Sequence, residues 1–452
     1  MVSAQRSLKR ASVHTLGCRL NQSESLLLRD RLQAEGYETV PFGEPSDLAI
    51  INTCTVTSLA DAKCRNVIRS YVRKNPNAFV AVIGCYSQIG YKEVAEIPGV
   101  DLIMGNREKM HVLDYVQLGK NEKPVIIRDR ITKDDFTIDF VGDRPYPKRA
   151  NLKIQDGCSF VCSFCIIPKA RGPARSRDLE NLLDEAKQMA ERGVKELVLT
   201  GVNIGTFESR DGDLLTVLDS LNAIDGIERI RISSIEPTTI PTELFPRMND
   251  PRHALLPFLH IPLQAGADAV LQSMRRKYNL KDYLDFLYLA HDSVDDLYLG
   301  TDILVGYPTE GDREFEETCH TFMNHPFSYC HVFAFSERET TPAARMVDRV
   351  SVSEKQLRSA KLRRLSESKR YDYYAAHIGR EMTVLFEDPK DGIWPGYTDN
   401  YIRVLLNSEL NLRNEIARVR LDQVVGDVVE GTLIEVMPNQ TAANEIRLSS
   451  SL

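Results

Sequence analysis

The sequence predicts an α/β protein in three successive parts: a parallel α/β domain at 9–125, a partial barrel of six βα units at 144–375, and a small all-β domain at 377–445. Two observations support this division. Strand-like apolar runs alternate with amphipathic helical stretches through the first two parts, which is the pattern of parallel α/β folds. After Gly379 the pattern changes to short alternating segments, which is typical of an all-β domain.

In the first part, long buried-type strands and the helices between them are recognisable. The predicted strands are Ala11–Leu16, Leu48–Asn52, Phe79–Ile83 and Val100–Met104, and the predicted helices are Asn21–Glu35 and Ser58–Lys74. Residues 121–147 are polar and end in a proline-bearing stretch, so we predict that they form a linker or an extended edge.

The second part contains six further strand candidates. They are Ala150–Gln155, Glu196–Thr200, Ile230–Ser234, Phe258–Pro262, Leu297–Ile303 and Cys330–Phe335. Helical stretches lie between them at Asp178–Arg192, Ala267–Arg276 and Leu280–His291. Six βα units suit an open barrel rather than a closed barrel of eight. Residues 351–380 form a basic helical stretch, and Met382–Phe386, Tyr401–Leu406 and Val428–Val436 are the predicted strands of the third part.

Composition narrows the function classes. With 42% hydrophobic and 27% charged residues, the 452-residue chain is typical of a soluble globular protein. A formal net charge of −7 argues against a uniformly basic nucleic-acid binder, so any such contact needs a local basic patch. We find no signal peptide or membrane-length apolar run and expect a cytoplasmic protein. Nine cysteines in that compartment indicate metal binding or catalysis rather than disulfides.

The first cysteine group follows the first strand of the predicted barrel. Cys158, Cys162 and Cys165 have C-x3-C-x2-C spacing, and three thiolates on one loop can hold three corners of a four-iron cluster. The fourth iron then stays open to a small molecule, an arrangement that resembles the radical S-adenosylmethionine (SAM) superfamily. Zinc is the alternative, but zinc needs a fourth ligand, and no Cys or His occurs between Cys165 and His253.

The second group consists of Cys18, Cys54 and Cys85, which are far apart in sequence although each closes a predicted strand. The carboxyl ends of parallel strands meet at one edge of a sheet, so we expect these three side chains to converge there. Gly17 and Gly84 would let the backbone pass close to a bulky inorganic group. The alternative is that all three are buried apolar cysteines. Cys319 and Cys330 are interpreted as structural, and so is Cys64 unless it approaches the second group.

Five segments together resemble the methylthiotransferase family of radical SAM enzymes. They are His14–Asn21, Asn52–Cys54, Cys158–Pro168, Arg171–Gly172 and Leu259–Gly266. The resemblance covers nearly the whole chain and implies a flavodoxin-like first domain, a radical SAM barrel and a TRAM-like RNA-binding tail.

The resemblance also implies cofactors and roles. Two [4Fe-4S] clusters are implied. Cys158, Cys162 and Cys165 would hold the one that cleaves SAM, and Cys18, Cys54 and Cys85 would hold an auxiliary one whose open iron carries the sulfur or methylsulfide to be delivered. One SAM molecule would donate a methyl group and another would generate the radical. An external electron donor, flavodoxin- or ferredoxin-like, and tRNA are the expected partners, and the oligomeric state is left open.

Three acceptors are known in such a family: threonylcarbamoyladenosine in tRNA, isopentenyladenosine in tRNA, and an aspartate of a ribosomal protein. The segment Thr15–Asn21 and the run Gln155–Cys158 are most similar to the first type. We therefore expect a methylthio group on carbon 2 of that nucleoside at position 37 of tRNA, giving 2-methylthio-N6-threonylcarbamoyladenosine. A non-enzyme alternative is a two-cluster electron carrier with an RNA-binding tail.

Polar residues at the strand ends of the predicted barrel face its catalytic mouth and are candidates for binding SAM. Phe164, beside Cys165, is a candidate for packing on the adenine of SAM. The other candidates are Thr200, Gly201, Asn203, Ser234, Glu236, His260 and Gln264. Arg275–Lys277 is a basic triplet that we expect either to meet phosphate or to be a solvated helix end.

The predicted RNA contacts lie in the last hundred residues. Tyr397, Tyr401 and Arg403 of the TRAM-like tail offer base stacking and phosphate contact. Residues 381–452, however, hold six Lys/Arg against twelve Asp/Glu. The stretch 351–380 carries eight Lys/Arg and three Asp/Glu, so we expect this helix to supply much of the phosphate contact, through Lys361, Arg363 and Arg364 among others.

Overall fold

The first domain of the computed structural model, which describes residues 9–116, 120–139 and 149–438, is a parallel sheet with helices on both faces. Its strands are β1 (Lys9–Thr15), β2 (Tyr37–Thr39), β3 (Leu48–Thr53), β4 (Phe79–Gly84), β5 (Leu102–Met104) and β6 (Val125–Ile127). Its helices are α1 (Arg19–Ala34), α2 (Ser58–Lys74), α3 (Cys85–Ile89), α4 (Tyr91–Ala95) and a 3-10 helix at Lys109–Tyr115.

The strands are ordered β2-β1-β3-β4-β5-β6, and all neighbours are parallel. This is the flavodoxin-like order extended by one strand. Both central strands, β3 and β4, are fully buried because α1 packs on one face of the sheet and α2 on the other. The four predicted strands are present. The edge strand β2 was not predicted, because three residues are too short to show a periodicity. The edge strand β6 lies inside the segment predicted as a linker or an extended edge, of which residues 140–147 are outside the described part of the chain.

The central domain is built on six main parallel strands. The strands are β7 (Arg149–Lys153), β8 (Gln155–Asp156), β9 (Arg175–Ser176), β10 (Glu196–Thr200), β11 (Glu208–Ser209), β12 (Gly212–Asp213), β13 (Arg229–Ile232), β14 (Phe258–His260), β15 (Tyr298–Val305) and β16 (Tyr329–Ala334). The helices are α5 (Ile167–Arg171), α6 (Leu179–Glu191), α7 (Leu214–Asn222), α8 (Leu244–Asn249), α9 (Asp268–Ser273), α10 (Leu280–Ser293), α11 (Asp312–Asn324) and α12 (Val352–Ala375), with 3-10 turns at Ile204–Thr206, Pro237–Thr239 and Pro342–Arg345.

These strands form an open barrel, as predicted. The sheets β7-β10-β13 and β14-β15-β16 follow chain order and are joined by a parallel bridge between Ser234 and His260. The edge strand β7 packs against α1 of the first domain, and the edge strand β16 packs against α12. Neighbouring elements therefore close the gap that two missing βα units would leave. Among the described residues, no helix is long and apolar enough to cross a membrane.

The last domain is a closed barrel ordered β17-β18-β19-β21-β20. Its strands are β17 (Glu381–Phe386), β18 (Ile393–Thr398), β19 (Arg403–Asn407), β20 (Ile416–Val425) and β21 (Val428–Val436). Its core is continuous with Phe258 and Tyr298 of the central barrel. Arg229 donates hydrogen bonds to the Thr383 and Tyr397 carbonyls, and Arg231 donates to the Asp399 carbonyl. The tail is therefore docked on the barrel, and the predicted fold class is confirmed. The last predicted residues, 439–445, lie outside the described part of the chain, as do 144–148.

A buried charge cluster joins the first domain to the barrel. We call it the interdomain network; its members are Glu24 of α1, Lys109, Lys153, Asp156 and Arg171. Lys153 Nζ lies 2.8 Å from Glu24 Oε1 and 2.7 Å from Asp156 Oδ2. Arg171 Nη1 bridges the same two carboxylates at 3.2 and 2.8 Å. Burial alone would raise the pKa of Glu24, but Arg171, Lys109 and Lys153 hold the pKa of Glu24 well below its usual range.

We predict that Glu24→Gln destabilises the fold by about 3–5 kcal/mol, because it leaves three buried cations with one carboxylate. Urea denaturation at neutral pH measures the change. The matched control is Glu44→Gln, which removes an exposed partner of Arg10 and should cost less than about 1 kcal/mol. Equal unfolding free energies for the two variants would contradict a structural role for the network.

Candidate functional site

The first cysteine group lies on the loop between β8 and α5, at the mouth of the barrel. The backbone amide of Cys158 donates to the Gly172 carbonyl at 3.0 Å, which ties this loop to the end of α5. Two donors reach the sulfurs: Phe160 N lies 3.4 Å from Cys158 Sγ, and Arg276 Nη1 lies 3.2 Å from Cys162 Sγ. Burial raises the pKa of the Cys165 thiol to about 12, so metal loading at this loop releases protons.

The second group meets at the carboxyl edge of the first sheet, as predicted. Cys18, Cys54 and Cys85 follow β1, β3 and β4, which are adjacent strands. A Cβ built on Gly17 would lie 2.7 Å from Cys54 Cβ and 2.9 Å from its sulfur, so only glycine, with φ +103°, leaves this space open. Cys18 is also the N-cap residue of α1.

The spacing of the sulfurs distinguishes a cluster from a single ion. Within residues 9–116, 120–139 and 149–438, only His260, Asp302 and His331 bring three metal-binding side chains within 4.8 Å of one another. Neither cysteine group is that tight. Both groups are therefore wider than a three-ligand site for a single ion, which suits a multi-iron cluster better than tetrahedral zinc.

The remaining cysteines have structural surroundings. Cys64 does approach the second group, since its Sγ donates to the Cys54 carbonyl at 3.3 Å, and burial raises the pKa of Cys64 to about 12. Cys319 and Cys330 are buried in the core of the barrel.

A cavity of about 640 Å³ lies where the three domains meet, and we call it the central cavity. Cys18 marks its end at the first domain, and the strand ends of the barrel form one wall. Tyr residues from the barrel, α12 and the tail form much of the rest. The predicted site residues that line it are Cys18, Thr200, Gly201, Ser234 and His260. The cavity therefore reaches Cys18 of the second cysteine group and the strand ends of the barrel, whereas Cys54, Cys85 and the first cysteine group are not among its lining residues.

The other predicted SAM-binding residues lie around the mouth with partners of their own. Phe164 packs edge-on against Tyr307, with ring centroids 6.4 Å apart. Glu236 is ion-paired with Arg276, and burial raises the pKa of Glu236. Gln264, at φ +74°, pairs with β15 through its backbone. Asn203 Oδ1 accepts from the Thr239 hydroxyl at 3.1 Å, while its Nδ2 is buried with no hydrogen-bond partner among the described residues.

His260 is held in a hydrogen-bonded chain in the cavity wall. Its Nε2 lies 2.8 Å from Asp302 Oδ1, and its Nδ1 lies 2.9 Å from the Tyr329 hydroxyl. His331 stacks on His260 with ring centroids 5.0 Å apart. The chain orients both the imidazole and the phenol towards the cavity.

Two functional contacts were missed by the sequence reasoning. Arg276 was assigned to a basic triplet at a phosphate or solvent surface. This is wrong for Arg276, which is buried between Glu236 and Cys162 because the chain turns inward after α9. Asn106 was not considered; its Nδ2 lies 3.5 Å from Cys85 Sγ. No motif signalled Asn106, because its neighbourhood is set entirely by the packing of two domains.

The tail residues predicted to meet RNA line the central cavity, where Tyr397 and Tyr401 are half-buried and Arg403 is exposed. Tyr401 lies between Phe258, at 4.8 Å between ring centroids, and the Arg231 guanidinium, at 4.6 Å. Tyr397 stacks on Tyr401 at 4.7 Å. Because the tail docks on the barrel, these rings become part of the cavity wall.

Comparisons with known proteins agree with this architecture. Residues 152–322 match the Radical SAM superfamily, and residues 10–105 match a family described as "Uncharacterized protein family UPF0004". Among solved structures, the radical SAM methyltransferase TsrM from Kitasatospora setae, with cobalamin and a [4Fe-4S] cluster bound, has a TM-score of 0.51 at 14% identity. The match covers 75% of this chain and 77% of TsrM, and it supports the fold alone.

Relatives with known activities match over nearly the whole chain. The threonylcarbamoyladenosine tRNA methylthiotransferase MtaB of Bacillus subtilis is 35% identical, covering 97% of this chain and 99% of MtaB. MtaB of Aquifex aeolicus is 34% identical, covering 87% of this chain and 96% of that protein. The tRNA-2-methylthio-N(6)-dimethylallyladenosine synthase of the same organism is 31% identical, covering 95% of this chain and 99% of that protein. The chain therefore belongs to the radical SAM methylthiotransferase family, whose enzymes use SAM and iron–sulfur clusters, and within that family it is MtaB-like.

Proposed function

We propose that this enzyme replaces the hydrogen on carbon 2 of N6-threonylcarbamoyladenosine at position 37 of tRNA with a methylthio group. The product is 2-methylthio-N6-threonylcarbamoyladenosine. The observation that carries the proposal is the central cavity, in which the auxiliary cysteine edge, the mouth of the barrel and the tail meet around one space large enough for a nucleoside. The electron-carrier alternative is set aside because the family consists of enzymes.

The six predicted cysteines are proposed as the cluster ligands. Their surroundings fit such groups: each set offers three thiols, Gly17 leaves room beside Cys54, and side-chain N–H groups of Arg276 and Asn106 point at ligand sulfurs. Cys158, Cys162 and Cys165 would hold the SAM-cleaving cluster, and Cys18, Cys54 and Cys85 the auxiliary cluster. When bound, these cofactors supply the 5′-deoxyadenosyl radical and the methylthio group, chemistry that acid–base side chains cannot provide.

The residues around the mouth are proposed to bind SAM. The buried Asn203 amide has an unused donor beside Glu236, which supports a polar ligand at this place. Thr200, Gly201, Ser234 and His260 open onto the central cavity. Phe164 and Gln264 would act by shaping the floor of the same mouth.

The nature of the cavity wall supports the threonylcarbamoyl substrate over the two alternatives. Three arginines line the cavity together with six aromatic rings, whereas an isopentenyl group would be matched by an apolar wall. The rings suit a flat base, which a ribosomal-protein aspartate lacks. Isopentenyladenosine remains the second candidate acceptor because dimethylallyladenosine synthases align over almost the whole chain.

The basic helix α12 is proposed to contribute to tRNA binding through only part of its charge. Lys361 pairs with Glu316, and Arg358 pairs with Glu310 in the interior. Arg363 and Arg364 are exposed, so the phosphate contact is assigned to them.

The exposed tip of the first cysteine loop is the proposed docking point for a flavodoxin- or ferredoxin-like electron donor in the cytoplasm. Val161 is 62% exposed at this tip. Exposed Arg275 and Lys277 lie beside it, and Lys277 Nζ is 5.9 Å from the centroid of the Phe160 ring. An apolar contact flanked by positive charges suits an acidic redox protein. Docking at this tip would also give the electron the shortest route to the cluster.

Cysteine substitutions test the ligand assignment. Cys158→Ala or Cys162→Ala should abolish formation of 5′-deoxyadenosine from SAM. Cys18→Ala or Cys85→Ala should spare it, lower bound iron by about half and abolish methylthiolation. The readouts are iron content, EPR spectra and product analysis, and Cys319→Ala is the matched control because it lies in the barrel core. Methylthiolation that survives loss of Cys18 or Cys85 would refute the auxiliary role.

Nucleoside mass spectrometry tests the substrate. Anaerobically reconstituted enzyme is incubated with SAM, a reductant, and tRNA that carries either threonylcarbamoyladenosine or isopentenyladenosine. We expect a methylthio group to replace hydrogen only on the threonylcarbamoyl nucleoside. Product only on the isopentenyl nucleoside would keep the chemistry and overturn the substrate.

Charge reversal tests the docking point. In the double variant Arg275→Glu/Lys277→Glu, we expect the ratio of the flavodoxin-driven to the dithionite-driven rate to fall at least about fivefold at low salt, because the attraction becomes repulsion. Lys187→Glu, on the remote helix α6, is the control. An unchanged ratio would move the docking site elsewhere.

A further inference from the structure

The lining of the central cavity contains more positively charged than negatively charged side chains. Its wall contains Arg19, Arg370 and Arg403 but a single carboxylate, Asp427. Asp427 Oδ2 lies 3.8 Å from Arg403 Nη1, so that acid is already associated with Arg403. Within the described ranges, Arg19 and Arg370 have no carboxylate within ion-pairing distance. Two guanidinium groups therefore face the cavity without a counter-ion from the protein.

Buried arginines elsewhere around the barrel have acceptors from the protein; Arg229, for example, donates to two backbone carbonyls. The fully buried Arg171 and Arg231 each contact a carboxylate, and so does Arg276. Arg19 and Arg370 are partly buried, and a partly desolvated cation without a counter-ion is unfavourable. A site that keeps two of them around one cavity is arranged for an anion that arrives with the ligand.

Aromatic side chains hold these cations in the wall. Arg19 Nη2 donates to the Tyr401 hydroxyl at 3.1 Å, which fixes its guanidinium beside the end marked by Cys18. Arg370 lies on α12 and lines the same cavity as Tyr298 and Tyr374. Tyr298 stacks on Tyr329 with ring centroids 4.9 Å apart, which gives the cavity a flat aromatic side. A purine stacked there would present its substituents to the arginines.

We propose that Arg19 and Arg370 form an anion subsite that receives the carboxylate of the threonylcarbamoyl group and thereby selects this nucleoside. The inference rests on the proposed function and deepens it, since it names the part of the substrate that is recognised. An isopentenyl group carries no charge and would leave both guanidinium groups unpaired. A site that uses hydrogen bonds in this way rejects the analogue that lacks the polar group.

The test compares two forms of the substrate that differ only in charge. Initial rates are measured on tRNA that carries threonylcarbamoyladenosine as the free acid or as its methyl ester, and the readout is the acid-to-ester ratio of kcat/KM. We expect the wild-type enzyme to prefer the acid on the order of ten- to a hundredfold, the range for a hydrogen-bonded ion pair. Arg370→Gln should bring the acid-to-ester ratio to within threefold of one, and Arg370→Lys should restore part of the preference for the acid.

The decisive substitution is made at Arg370, because this residue lies far along the chain from every predicted cluster ligand, whereas Arg19 directly follows Cys18. Arg19→Gln is measured in parallel, together with its iron content, which detects any loss of the auxiliary cluster. Lys361→Gln is the matched control: it removes one positive charge from the same helix at a side chain that pairs with Glu316 outside the cavity. It should keep the wild-type ratio.

The outcomes separate the two proposals. A wild-type ratio near one, or a wild-type ratio retained by Arg370→Gln, overturns the carboxylate subsite while leaving the reaction intact. Absence of product from the wild-type enzyme on the free-acid tRNA, with product on isopentenyladenosine tRNA, overturns the proposed function itself. Loss of the ratio in Arg370→Gln but not in Lys361→Gln supports the subsite.

Discussion

The interdomain network is the interaction on which the geometry of this enzyme depends. Glu24 comes from the first domain and Asp156 and Arg171 from the barrel, and all three are buried. Its neighbours reach both cysteine groups: Arg171 Nη2 donates to Asn21 Oδ1 at 2.6 Å just after Cys18, and the Gly172 carbonyl accepts from the Cys158 amide. Buried ion pairs add little net stability, but their geometric demands are strict. One set of salt bridges thus determines how the two cysteine edges face each other.

The interdomain network also has a net positive charge, which suits its position beside the second cysteine group. Three cations, Lys109, Lys153 and Arg171, oppose two carboxylates, which leaves one positive charge in a low-dielectric interior. Thiolate-ligated clusters are negatively charged, and Lys109 and Arg171 interact electrostatically with Cys85, one of the proposed ligands of the auxiliary cluster. Asn106 makes the link directly, because its Nδ2 lies 2.6 Å from the Ala170 carbonyl of the barrel and 3.5 Å from Cys85 Sγ. Binding of the auxiliary cluster and docking of the domains are therefore favoured by the same charges.

The tail does more than extend an RNA-binding surface. Its residues 381–452 are acidic in sum, which is hard to reconcile with a free-standing phosphate binder. Arg229 and Arg231 hold its loops against the barrel, and Tyr397 and Tyr401 complete the wall of the central cavity. The tail therefore forms part of the cavity wall, and the positive charge there comes from Arg19, from Arg370 of α12 and from the tail's own Arg403.

The sequence by itself determined the fold class, the order of the domains and both cysteine groups. Long buried strands such as β3 and β4 have unmistakable apolar runs, and Cys18, Cys54 and Cys85 each end such a strand, so the rule for parallel sheets brings them together. Only the tertiary structure decided the partners of Arg276 and Asn106, the inward orientation of Tyr401, and the unpaired state of Arg370. These depend on contacts between distant segments, which no local periodicity records. The position of an arginine in the sequence can suggest that its side chain is exposed. The segments that pack beside it decide whether its guanidinium becomes a buried ion-pair partner or a ligand for the substrate.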